Sequence, residues 1–155
     1  MLLPIVAGVD GSESSLGAID WAADEAALHG LPLRLVHACL WERYEGPSFM
    51  ESAGVASERS LAQDILGHAT ERARQRHPGV QIAVDIVPED AEAALLREAR
   101  RATAVVTGCR GRGPITGALL GSVSRSLATH ASCTVVVVRG CQKNRQAVGP
   151  RWIGR

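Results

Sequence analysis

Aromatic rings are scarce in this chain: three Trp, one Tyr and one Phe make up 3% of its 155 residues. So few rings offer no row of stacking platforms, which argues against single-stranded nucleic acid as a ligand. Excess charge is missing too. Lys and Arg number 17 against 16 Asp and Glu, a formal net charge of +1. That leaves no electrostatic footprint for nucleic acid or an anionic membrane. No apolar run approaches the ~20 residues of a membrane span. The opening Met1-Leu2-Leu3-Pro4-Ile5 has no basic flank and enters a strand at once, so no signal peptide is expected. The four cysteines, Cys39, Cys109, Cys133 and Cys141, form no CxxC pair. They read as reduced thiols of a cytoplasmic protein rather than as a disulfide framework. There is no HExxH, and no histidine–carboxylate pair is tied by sequence to a serine.

What is present is an aliphatic core. Hydrophobic residues make up 46% of the chain, enough for one folded domain of this length. Five short apolar, partly β-branched runs alternate with four helical patterns. Strands are expected at residues 4–9, 33–38, 80–87, 103–107 and 134–138. Leu16, Ile19, Ala23 and Ala26 lie at helical spacing after the turn Asp10-Gly11-Ser12, which also offers an N-cap. Gly30 and Pro32 end that helix. A looser segment at residues 41–56 follows the second strand. Leu61, Ile65, Ala69 and Ala73 then mark one face of a second helix, which His77-Pro78-Gly79 ends. Ala91, Leu95 and Ala99 mark a third helix. A fourth runs from Gly121 or Ser122 to Ala131. Strands alternating with helices imply an α/β fold, a parallel sheet covered on both faces. In open sheets of this kind a ligand sits beyond the carboxyl ends of the strands, where strand order reverses. If strands one and four are the neighbours there, Asp10 and Gly108 lie across one crevice.

The stretch GCRGRGPITGALLGSVS, residues 108–124, concentrates glycines between a strand and a helix. Bare backbone lets successive N–H groups converge on an anion, and a helix N-terminus adds unpaired N–H donors. Ser122 and Ser124 add hydroxyls. Gly108, Gly111, Gly121, Ser122 and Ser124 together make a phosphate cradle. A P-loop is excluded, because Pro114-Ile115 replaces its lysine and hydroxyl. A dinucleotide fingerprint is excluded as well, because Thr116 stands at its third glycine. The bland alternative is a long connecting loop, but such loops in small domains are usually functional.

The spacing that fits is G-x2-G-x9-G-[ST], at Gly108, Gly111, Gly121 and Ser122. With the opening IVAGVDGSESS, LVHA at the second strand, VVTGCRGRG and TVVVVR, the chain resembles the ATP-binding branch of the universal stress protein family over residues 4–139. The resemblance implies an open five-stranded parallel sheet of order 3-2-1-4-5, Rossmann-like and adenine-nucleotide α-hydrolase-like. It implies ATP between strands one and four, with Gly8 and Asp10 beside the nucleotide and Asp10 near the ribose or a phosphate-bound Mg or Mn. Ala38 would offer backbone to adenine. Thr107, Gly108, Gly111, Gly121, Ser122, Val123 and Ser124 would wrap sugar and phosphates. It also implies a homodimer through the last strand, Val135 to Val138, otherwise an exposed apolar edge. Two positions depart from the family's habits: Val87-Pro88-Glu89 where a glycine is frequent, and Thr103 where an aspartate is common.

Other residues read more plainly. His37 on an apolar strand reads as a packed, hydrogen-bonded histidine rather than a catalyst. Cys109 reads as a passive thiol rather than an oxidant sensor. Arg110 and Arg112 fit a phosphate clamp or a solvated surface equally. Asp20, Asp24, Glu92 and Glu98 read as ordinary helix surface. The expected function is ATP binding as a structural or regulatory ligand in a stress response, with at most slow hydrolysis. The rivals are a nucleotide-independent dimeric interaction module, an enzyme of the wider hydrolase-like group, and a binder of AMP or cyclic AMP. The domain is expected to span residues 1–139. Residues 140–155, with Lys143, Arg145, Arg151 and Arg155 and no acidic residue, are expected to be a mobile basic tail or a partner-docking segment anchored by Trp152.

Overall fold

Nine elements alternate along the chain: β1 (Ile5–Gly8), α1 (Glu13–His29), β2 (Leu33–Ala38), α2 (Ala53–Arg76), β3 (Ile82–Val87), α3 (Ala91–Ala99), β4 (Ala104–Gly108), α4 (Ser122–His130) and β5 (Thr134–Val138). The computed structural model describes residues 1–40, 53–109 and 120–139, with α2 side chains from Glu58 onward. Arg110, Gly111, Arg112, Cys141 and the basic tail lie outside the described residues.

The strands form one parallel sheet in the order β3-β2-β1-β4-β5. Two apolar cores sandwich it. On one face Ile19, Ala22, Ala23 and Ala26 of α1 and Ile65, Leu66 and Ala69 of α2 pack on Ile5, Ala7, Leu33, Leu35 and Val106. On the other, Ala94, Leu95 and Ala99 of α3 and Leu127 of α4 pack on Val6, Val36 and Val105. The central strands β1, β2 and β4 read as continuous apolar runs because both of their faces are covered.

Local chemistry sets the helix ends. The Ser12 hydroxyl accepts the Ser15 N–H, capping α1, and Asp90 does the same for α3 through the Ala93 N–H. Gly30 ends α1 in the left-handed region, its N–H returned to the Ala26 carbonyl.

Three expectations change. On α2, Ile65, Ala69 and Ala73 are buried as expected, joined by Ala62 and Leu66, while Leu61 is half exposed. α2 starts at Ala53, inside the stretch expected to be loose. β3 does not alternate: it is an edge strand, and Val84 is half exposed. β5 is the opposite edge, and Val135 to Val138 are each half-buried in the single chain.

The acidic residues read as idle surface do work between elements. Asp20 takes a two-pronged bond from Arg72, and Asp24 another from Arg76, each with N–O distances of 2.6 to 2.8 Å. His77 adds a 2.7 Å bond to Asp24. These pairs clamp α1 to α2. On the other face Arg34 of β2 bonds both Glu98 of α3 and Asp85 of β3 at 2.8 Å. Among the described residues no helix is long and apolar enough to cross a membrane.

The Arg76 guanidinium, opposed by a smaller effect of burial and helped by His77, pulls the Asp24 carboxyl from 3.8 to about 2. A depressed acid stabilises the fold above its unfolded value and loses that contribution as pH falls through its folded one. Denaturation midpoints should therefore drop between pH 3.8 and pH 2 more steeply for the native chain than for Asp24→Asn. The pair is half exposed, so the difference should stay below about 1 kcal/mol. Equal pH profiles would show that the clamp carries no stability.

Candidate functional site

The sheet order puts the reversal of strand order between β1 and β4, which pair directly in the register Ile5↔Ala104, Val6↔Val105, Ala7↔Val106. The connection leaving β1 climbs into α1 on one face. The connection leaving β4 leads to α4 on the other. A crevice therefore opens at the carboxyl ends of these two strands. Asp10 and Gly108 stand on its two sides, as the fold rule requires.

On the β1 side, Asp10 turns the chain. Its Oδ1 accepts the Ser12 N–H at 2.9 Å, and Gly11 between them takes a φ of 80°, a conformation glycine adopts at little cost. The helix cap falls to Ser12, so Asp10 is not the N-cap. Among the described residues no hydrogen bond occupies Oδ2 of the half-buried Asp10. From β2, Ala38 reaches the same end, half-buried, one residue beyond His37. His37 is buried, and its Nδ1–H donates to the Val9 carbonyl at 2.7 Å. That agrees with the packed, hydrogen-bonded reading.

On the β4 side, Gly108 is buried where two helices meet. A Cβ built there would lie 2.4 Å from Ser14 Oγ and 2.7 Å from the Ser14 backbone carbon. The glycine is needed for this close approach of α1, not for a positive φ. The buried Ser124 hydroxyl donates to the Gly108 carbonyl at 2.8 Å. Thr107, also buried, sends its hydroxyl to the same oxygen at a longer 3.3 Å. The hydroxyl hydrogen of Ser124, expected to serve a phosphate, is thus committed to holding α4 on the strand end.

Two backbone bonds complete the anchorage. Gly121 N–H reaches the Cys109 carbonyl at 2.7 Å, and Cys109 N–H reaches the Val138 carbonyl at 2.9 Å. The glycine loop, residues 110–119 of which lie outside the described residues, therefore starts and ends at one point. Cys109 is buried there as a backbone anchor. α4 begins with Gly121 as N-cap and no side-chain cap. Its first intrahelical bond runs from Arg125 N–H to the Gly121 carbonyl at 3.0 Å. The N–H groups of Ser122, Val123 and Ser124 consequently have no helical partner and carry the positive end of the helix dipole. Ser122 is exposed beside them.

The structure thus brings Gly8, Asp10, Ala38, Thr107, Gly108, Gly121, Ser122, Val123 and Ser124 to one end of the sheet; Gly111 lies outside the described residues. Sequence reasoning missed Ser14 as the residue that makes Gly108 obligatory. No local pattern reports that contact, because it joins residues 94 positions apart on different elements. Among the described residues no three His, Cys, Asp or Glu side chains gather to hold a metal ion. Two shallow depressions lie elsewhere. One, of about 720 Å³, is at the amino ends of the strands near Leu2, Leu31 and Val80. The other, of about 640 Å³, lies between α3 and α4 near Arg100 and His130. Neither contains an expected site residue.

With this geometry in place, comparison with known proteins is decisive for the family. Residues 1–139 match the family model described as the universal stress protein family. The chain belongs to this family. A universal stress protein of Mycobacterium tuberculosis is 36% identical over 141 residues, covering 88% of this chain and 47% of the relative. One of Mycolicibacterium smegmatis is 34% identical over 143 residues, covering 88% and 48%. The chain spans about half the length of these curated relatives. Among solved structures, a universal stress protein in complex with cAMP is similar at 28% identity and a TM-score of 0.67, covering 90% of this chain and 99% of that one. One from Archaeoglobus fulgidus reaches a TM-score of 0.71 at 24% identity, covering 89% and 99%. A further Archaeoglobus fulgidus structure, in complex with dAMP, has a TM-score of 0.66 at 23% identity, covering 88% and 97%. At those lower identities the likeness speaks for the fold.

Gly108→Ala should destabilise by about 1–3 kcal/mol, because backbone of α1 must move to admit the methyl group. Gly8→Ala should cost less, since the nearest atoms its Cβ would meet, Leu95 Cδ1 at 2.8 Å and Cδ2 at 3.4 Å, belong to the end of a side chain rather than to backbone. Thermal unfolding of both variants checks the order; a milder effect at Gly108 would refute the packing argument. Removing the buried hydroxyl with Ser124→Ala should cost about 1–3 kcal/mol by the same measurement.

Proposed function

We propose that this universal stress protein binds ATP in the β1/β4 crevice as a structural or regulatory ligand. The observation that carries the proposal is the set of N–H groups at Ser122, Val123 and Ser124, without a helical partner and with no hydrogen bond among the described residues, pinned to the end of β4 by Ser124 and Gly121. Three convergent donors at a helix N-terminus suit a phosphate chain. Gly8, Thr107, Gly108, Gly111, Gly121 and the exposed Ser122 hydroxyl line the path of the sugar and phosphates in this reading. Ala38 supplies backbone to the adenine. Asp10 has one carboxylate oxygen in its own turn and the other without a bond among the described residues, which fits a ribose hydroxyl or, through water, a Mg or Mn ion carried on the phosphates. The metal would offset phosphate charge; the chain's part is to orient the nucleotide.

In this reading the protein works as a homodimer joined at the edge strand β5, whose four valines stay half-buried in the single chain. Among the described residues Cys109 and Cys133 are free thiols, which suits the cytoplasmic setting of this reading. Bound nucleotide would favour one conformer and so change what a protein partner meets. A second reading replaces ATP with cyclic AMP. It is favoured by the 28% identical relative solved in complex with cAMP.

Heat denaturation of purified protein, with mass spectrometry of what is released, separates these readings. A stoichiometric adenine nucleotide is expected, and its mass names the ligand; Gly121→Ala/Ser122→Ala, which adds a methyl group beside the donors and removes the Ser122 hydroxyl, should retain less of it. Gly121 has a φ of −69°, so alanine there suits the backbone. A folded protein that releases nothing and shows no saturable ATP binding with magnesium present would refute the proposal.

A further inference from the structure

His37 joins the two strand ends on which the base and the sugar would rest. Its ring is buried, 8% exposed, and its Nδ1 lies 2.7 Å from the Val9 carbonyl. A carbonyl only accepts, so the hydrogen is on Nδ1. Val9 is the first residue beyond β1, and its own N–H bonds the Val36 carbonyl at 2.9 Å. Both backbone groups of Val9 are therefore tied to β2. The peptide from Val9 to Asp10 is planar, so fixing that carbonyl fixes the direction in which Asp10 leaves the sheet. Asp10 then closes its turn on the Ser12 N–H.

The other end of the same bond governs Ala38. It follows His37 directly, and the next residue, Cys39, bonds the Val87 carbonyl through its N–H at 3.0 Å. Ala38 is thus held between two anchored neighbours. The phosphate end has a separate tie, the Ser124 hydroxyl on the Gly108 carbonyl. The crevice has two halves, each held by buried side-chain donation to a backbone carbonyl: His37 on Val9, and Ser124 with a longer bond from Thr107 on Gly108.

We propose that His37 is the positioning residue of the adenosine half: its Nδ1–H holds the strand exits bearing Asp10 and Ala38 in the register that lets Ala38 read adenine. The inference rests on the nucleotide-binding reading above. A histidine that merely filled the core would affect every ligand alike. A positioning histidine affects discrimination between bases and leaves the phosphate grip alone.

The test is the ratio of ATP to GTP affinity, measured by calorimetry on folded protein with magnesium present. The native chain should prefer ATP. His37→Leu removes the donor and should reduce the preference at least about fivefold, the worth of one buried hydrogen bond. His37→Asn, whose amide N–H falls near the place of Nδ1–H, should keep the preference. His37→Gln, whose amide reaches towards the Nε2 position, should lose it. The Asn and Gln variants decide the matter even if the Leu variant does not fold. Ser124→Ala should weaken both nucleotides together and leave the ratio unchanged. Equal ratios in the Asn and Gln variants, or a native chain that binds both nucleotides equally, would overturn the role of His37. A native chain that binds neither would instead remove the nucleotide-binding reading itself.

Discussion

Two helices from opposite faces of the sheet meet at a single residue. α1 comes so close to Gly108 that a side chain there would overlap the Ser14 backbone, and α4 is tied to the same residue through the Ser124 hydroxyl. Most of the local geometry follows from this junction. The close approach seats the first turn of α1 beside the end of β4. The hydroxyl bond aims the first turn of α4 at the crevice. Because Ser124 is buried, its bond is shielded from water and a lost partner would leave the Gly108 carbonyl poorly satisfied. Close packing and a buried polar bond act here on adjacent atoms of one residue.

Among the described residues the crevice is built from backbone more than from charged side chains. On the proposed reading its donors are N–H groups at the start of α4, a helix held in place by the Ser124 hydroxyl on the Gly108 carbonyl. Such groups are already oriented before anything binds, so little ordering is left for the binding event. On the proposed reading the nucleotide would bridge β1 and β4, two strands that already pair in register. That places the ligand at a junction of elements rather than on a single loop, where a change in occupancy reaches both faces of the domain.

Elsewhere the scaffold is held by arrangements that leave this end free. The pairs Asp20–Arg72 and Asp24–Arg76 lock α1 against α2 on one face. Arg34 holds β2, β3 and α3 together on the other, with Glu98 largely withdrawn from water. The edges differ in character. β3 has exposed Ala83 and Val84, whereas β5 carries a run of half-buried valines.

The sequence by itself determined the alternation of five strands with four helices, because burial on two faces demands continuous apolar strands and burial on one demands helical periodicity. It also carried the family's glycine spacing, and with it the candidate residues from Gly8 to Ser124. Capping by Ser12 and the packed state of His37 were legible for the same local reasons. On α2 the sequence identified Ile65, Ala69 and Ala73 but took Leu61 for the core in place of Ala62, because the pattern alone does not say which of two adjacent apolar residues faces the partner surface. What only the tertiary structure decided was the use made of each residue. It made Gly108 a point of helix contact, turned Ser124 inward onto a carbonyl, engaged Asp20, Asp24 and Glu98 in pairs, and joined His37 to Val9. Each of these roles depends on residues distant in the chain that meet only when the sheet has formed, and no spacing within a segment encodes such a meeting.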